Sequence, residues 1–132
     1  MPPDESENFL VQENLKVLGV SLLSEWDALV FFYRHGATLI STAQMVRLLG
    51  GDTASVSRAL DRLESLWLIQ RSRGSQGVRL YRFAVFTDPL RQSSFKELMS
   101  LAEKPNGRLL LLKHLRRGTP QTVSRSRGLR LA

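Results

Sequence analysis

Between Ser41 and Leu66 the chain carries start and stop signals for two short helices with only a glycine pair between them. That spacing constrains the fold more than any other feature. Ser41-Thr42-Ala43-Gln44 is a capping-box pattern: the N-cap hydroxyl takes the amide three residues on, and the Gln side chain reaches back. The helix it opens is expected to bury Met45, Leu48 and Leu49. Gly50-Gly51 supplies a turn, because glycine adopts positive φ without steric cost. Asp52 or Thr53 then caps a second helix with Val56, Ala59, Leu60, Leu63 and Leu66 on its inner face.

Two capped helices joined by a short Gly turn follow helix-turn-helix grammar. After Trp67-Leu68-Ile69 the apolar period shortens from that of a helix to that of a strand. Gln70–Ser72 and Val78–Val85 read as two strands joined by the loop Arg73-Gly74-Ser75-Gln76-Gly77, with Tyr81, Phe83 and Phe86 suited to a half-buried hairpin. Asp88-Pro89 ends the sheet.

The flanks are helical. Residues 1–7 read as a flexible leader. Asn8–Leu18 spaces Phe9, Val11, Leu15 and Leu18 along one face before Gly19. Ser24 is expected to cap a helix with Glu25 and Asp27 in its first turn, Trp26, Leu29, Val30 and Tyr33 on one side, and Gly36 as its stop. Phe95, Leu98, Met99 and Ala102 describe another amphipathic helix, broken at Pro105-Asn106-Gly107. A short helix resumes over Leu109–Leu115. The expected architecture is mainly α with a small β-hairpin (α+β). One domain spans 8–117, and the Ser/Thr/Arg-rich end from Gly118 to Ala132 is expected to be a disordered, basic tail.

Charge gives this architecture a direction. The net charge is +7. Residues 1–107 balance their acids and bases, whereas 108–132 contain Arg108, Lys113, Arg116, Arg117, Arg125, Arg127 and Arg130 with no acid. Within the balanced part, residues 1–27 carry Asp4, Glu5, Glu7, Glu13, Glu25 and Asp27 against Lys16 alone. Residues 53–82 carry Arg58, Arg62, Arg71, Arg73, Arg79 and Arg82 against Asp61 and Glu64. A polyanion is attracted to the second region and repelled by the first.

Several function classes find no support. No apolar run approaches the roughly 20 residues of a membrane-spanning helix, and the acidic start MPPDESENF is unlike a secretory signal. With no cysteine there is neither a disulfide nor a thiolate metal site, and a cytoplasmic location is expected. His35 and His114 lack carboxylates at ligand spacing, so no metal site is expected. Gly50-Gly51 lacks the Lys-Ser/Thr of a phosphate loop, and no catalytic constellation is present. The expectation is a non-enzyme without a cofactor.

The string Ser55-Val56-Ser57-Arg58-Ala59-Leu60-Asp61-Arg62-Leu63-Glu64, followed by Leu68-Ile69-Gln70-Arg71, resembles the recognition helix and first wing strand of MarR-type winged-helix transcriptional regulators. The resemblance covers about residues 24–87. It implies a homodimer whose N- and C-terminal helices interlock, with recognition helices reading palindromic duplex DNA. Two positions depart from the pattern. Trp67 stands where the family commonly has a Gly that ends the helix in a left-handed conformation, which implies a differently shaped exit with the indole packed under the wing. Gly77-Val78-Arg79 lacks the Asp that usually precedes the wing Arg by two residues, so an Asp–Arg brace within the wing is absent. The flanking segments are also shorter than usual, which leaves the resemblance without an implied effector pocket.

On this reading the DNA-contacting residues divide into three groups. Thr53, Ala54, Ser55, Ser57, Arg58 and Arg62 are on or beside the outer arc of the second helix. Its small residues allow close approach, and Arg58 can pair with guanine or hold a phosphate. Arg73, Gln76 and Arg79 sit in or beside the wing loop, near the flanking backbone or minor groove. Ser41, Thr42 and Gln44 offer a helix N-terminus to a phosphate. Each group has a plainer reading: a solvated helix face with Arg62 bridged to Asp61 or Glu64, a soluble Gly turn, and capping alone. A winged helix used as a protein-docking module is the rival function. It would place large exposed apolar residues on the outer arc, and this arc has none.

Overall fold

The computed structural model describes residues 4–36, 38–72 and 78–116. Six helices and a three-stranded sheet are described, in the order α1 (Asp4–Leu18), α2 (Leu23–His35), β1 (Ile40–Ser41), α3 (Thr42–Leu49), α4 (Thr53–Ser65), β2 (Ile69–Ser72), β3 (Leu80–Phe83), α5 (Pro89–Ala102) and α6 (Pro105–His114).

The helix-turn-helix is held by the local signals read above. Ser41 Oγ accepts from Gln44 N at 3.2 Å, and Gln44 Oε1 accepts from Ser41 N at 2.9 Å, so the capping box is closed on both sides. Gly50 ends α3 at φ 80°, and the Asp52 carboxylate caps α4 by accepting from Ser55 N. Val56, Ala59, Leu60 and Leu63 are buried against α2 and α3, with Met45 facing them. Leu48, expected in the core, is exposed. A helix of eight residues offers one narrow buried face, and Met45 with half-buried Val46 and Leu49 fills it.

The sheet has the order β1-β3-β2, both pairs antiparallel. Ile69 faces Phe83 and Arg71 faces Tyr81, while Ile40 joins from the far side opposite Tyr81. The third strand is only two residues long and lies directly before α3, too short to show an alternating pattern. Tyr81 and Ile69 enter the core, whereas Gln70 and Arg82 share the solvent face and bond across the strands at 3.3 Å.

The flanking helices form the other layer. Phe95 of α5 is the hub of an aromatic cluster, 4.9 Å from Tyr33, 6.0 Å from Trp26 and from Phe83, and 5.5 Å from Phe86, centroid to centroid. α1 packs on α5 and α6, and His114 is bonded to Asn8 at 2.9 Å. Beyond α6, Arg116 pairs with the segment before α2: Leu23 N donates to Arg116 O at 2.7 Å, and Arg116 N donates to Ser21 O at 3.0 Å.

The strands β2 and β3 run over Ile69–Ser72 and Leu80–Phe83 rather than Gln70–Ser72 and Val78–Val85, and three helix starts differ from expectation. α1 begins at Asp4 rather than Asn8; acidic residues at a helix start suit the macrodipole. α2 is capped by position Leu22 rather than Ser24, because the buried Glu25 carboxylate reaches back to accept from Ser21 N and Leu22 N. α6 starts at Pro105, which occupies its first turn where no amide is needed. Gly107 is therefore not a breaker. It is buried at the α5–α6 crossing, where a side chain would run into Leu101.

Candidate nucleic-acid interface

α4 presents its N-terminal half outward. Thr53, Ala54 and Arg58 are exposed, and Ser55 and Ser57 are half-buried. At about 100° per residue, Ala54 lies within about 40° of Arg58 around the helix axis, Asp61 about 60° to one side and Arg62 about 40° to the other. The two flanks are tied to different neighbours. Asp61 faces the hairpin, 3.7 Å from Arg79. Arg62 turns the opposite way and donates to Gly19 O at 3.0 Å, across the α1–α2 connection. Arg58 stands between them with no ion pair among the described residues.

This arrangement departs from the sequence reading in two ways. Arg62 was expected on the DNA-facing arc, or else bridged to Asp61 or Glu64. Its guanidinium instead serves the carbonyl of a residue 43 positions away, which no local spacing signals. Glu64 is taken by Arg71, which donates from Nη2 at 2.9 Å and from Nε at 3.2 Å. The bond to Glu64 holds the Arg71 guanidinium more firmly protonated than usual.

The first helix contributes less freely than expected. Ser41 and Gln44 spend their side chains on each other, and Thr42 is half-buried. At the start of α4 the amide of Ser55 is already occupied by the Asp52 carboxylate. Hydrogen bonding from the Ser55 side chain, and then from its amide, holds Asp52 below the ordinary carboxylate range. Arg73 and Gln76, assigned to the wing tip, lie outside the described residues.

The exit from α4 corrects a further expectation. Trp67 has φ 63°, so the helix ends in the left-handed conformation even without glycine. Its indole is 77% exposed rather than packed under the wing. The backbone is held by Trp67 N donating to Glu64 O and Leu68 N donating to Leu63 O, each at 3.0 Å. Buried Leu68 and Ile69 then draw the chain back into the core. The burial of the next two residues sets the geometry, and the Trp side chain is left outside.

Two stacked short helices, followed by an antiparallel hairpin that a third strand completes, decide the class. The chain is a winged helix-turn-helix protein resembling the MarR family. A MarR family model matches residues 18–78. The fold is shared with wild-type MarR from E. coli in its apo form, at 18% identity and a TM-score of 0.52, covering 84% of this chain and 78% of that one. A cysteine-to-serine mutant of E. coli MarR complexed with operator DNA gives the same identity and TM-score, covering 84% of this chain and 75% of that one. No curated protein matches the chain by sequence. In this MarR-like frame α4 is the second helix of the helix-turn-helix and β2–β3 form the wing.

The flanking helices of the MarR-like domain keep large apolar side chains in solvent: Phe9 and Leu10 on α1, Leu90 on α5 and Leu109 on α6. No helix among the described residues is long and apolar enough to cross a membrane.

Proposed function

We propose that the protein is a transcriptional regulator that binds duplex DNA sequence-specifically as a homodimer. The observation that carries this reading is Arg58: a guanidinium with no ion pair among the described residues, at the centre of the outward arc of α4, beside Ala54 and the small hydroxyl residues Ser55 and Ser57. A small-residue surface lets the helix enter the major groove, and an arginine there pairs in bidentate fashion with guanine. Thr53, Ala54, Ser55, Ser57 and Arg58 form the reading surface. Arg79 contacts the flank together with Arg73 and Gln76, and the start of α3 at Ser41, Thr42 and Gln44 lies against a phosphate. Arg62 holds α4 to the α1–α2 connection and has no base to read. E. coli MarR, which shares this fold, is solved in complex with operator DNA, and this supports duplex DNA as the partner.

The exposed Phe9, Leu10 and Leu109 support dimerisation through the terminal helices. Such a regulator would act in the cytoplasm and would need no catalytic chemistry. The test is selection of bound duplexes from a random pool, followed by titration of the enriched sequence against a scrambled one. A palindromic site preferred by about a thousandfold or more supports the reading. Equal affinity for both, or a monomer at micromolar concentration by light scattering, refutes it.

A further inference from the structure

Two acids of the recognition helix face the wing, and both are engaged by hairpin arginines. Asp61 lies 3.7 Å from Arg79, and Glu64 receives two hydrogen bonds from Arg71. An acid on the outer arc of a DNA-binding helix repels the phosphates it approaches, so by charge alone Asp61 opposes the proposed function. Its geometry indicates a different role. Arg79 is 54% exposed and sits just before β3, on the hairpin's approach to DNA. Long exposed arginines sample many rotamers, and ordering one at the moment of binding costs conformational entropy.

We propose that Asp61 is a positioning residue for Arg79, holding it at a fixed angle to α4 so that helix and wing meet the duplex as one rigid unit. This rests on the DNA-binding reading above. Glu64 and Arg71 anchor the base of the same unit one helical turn further on. The two acids are three residues apart on α4, on one side of the helix. The described part of the wing is thereby braced from the recognition helix.

The sign of the effect makes the test decisive. If Asp61 acts only by repulsion, Asp61→Asn tightens binding to every duplex, and does so equally when Arg79 is already alanine. If it positions Arg79, Asp61→Asn weakens binding to the selected site by about two- to fivefold, the range expected of one exposed pair. The loss then disappears in the Arg79→Ala background, and Asp61→Glu restores most of it. Hydroxyl-radical footprints should lose flank protection in Asp61→Asn while the central half-site stays protected. Unchanged or tighter binding by Asp61→Asn overturns the brace and leaves the DNA-binding reading intact. If the wild-type chain binds no duplex at all, the DNA-binding reading fails and the brace with it.

Discussion

Arg58 and Arg62 are the same residue type one turn apart on the same helix, and the structure gives them opposite employment. Arg58→Ala removes a guanidinium from the reading surface. A bidentate arginine–guanine pair contributes about 1–3 kcal/mol, so affinity for the selected site should fall by about 5- to 150-fold, with discrimination relaxed at one base pair. Thermal stability should hardly change, because the side chain is exposed and makes no ion pair among the described residues. Arg62→Ala deletes the bond to Gly19 O. That bond lies at the surface, so its loss should lower stability by about 0.5–1 kcal/mol and leave site affinity within about threefold, a residual charge effect screened by salt. Both variants are to be compared by fluorescence anisotropy at several salt concentrations and by urea denaturation. Equal losses of affinity, or a larger loss for Arg62→Ala, would refute the assignment of their roles.

Other positions give simpler readouts. Gly107→Ala should destabilise by about 1–3 kcal/mol in urea denaturation although alanine is the better helix former. The added Cβ would lie 2.8 Å from Leu101 Cγ and closer still to the Leu101 carbonyl, whose backbone cannot yield. A variant as stable as wild type would show that the α5–α6 crossing is loose. Ser41→Ala opens the capping box at the head of α3 and should cost about 0.5–2 kcal/mol, while Ser41→Thr should retain most of the stability. Burial raises the Asp27 pKa above its usual 3.8, with nearby Arg108 opposing the shift. A raised acid in the folded state favours folding below pH 3.8, and the benefit is lost as pH rises through the folded value. Asp27→Asn should therefore gain stability at neutral pH, with the gain shrinking on acidification. A gain that grows toward low pH would contradict that sign.

How far the sequence reaches depends on the range of each interaction. The helix-turn-helix was legible because its signals are local. Ser41 and Gln44 are three residues apart, as are Asp52 and Ser55, and Gly50 follows directly on α3. The inner face of α4 follows from helical periodicity alone, and the strand over Gln70–Ser72 follows from the change of period, with Ile69 added by the pairing to Phe83. The arginine-bearing outer arc could be placed for the same reason: the buried side of a helix determines its exposed side.

What required the tertiary structure was the partner of each side chain. Arg62 finds a carbonyl 43 residues back, Arg79 pairs with the recognition helix, and Leu48 stays in solvent because the short α3 has its core places filled. Gly107 reads as a breaker until α5 is seen lying against it, and Trp67 takes a left-handed backbone because Leu68 and Ile69 must be buried. Caps and periodicity act over a few residues and are written in order along the chain. Contacts between distant segments depend on how whole helices stack, and only the packed core decides which surface arginines are left free.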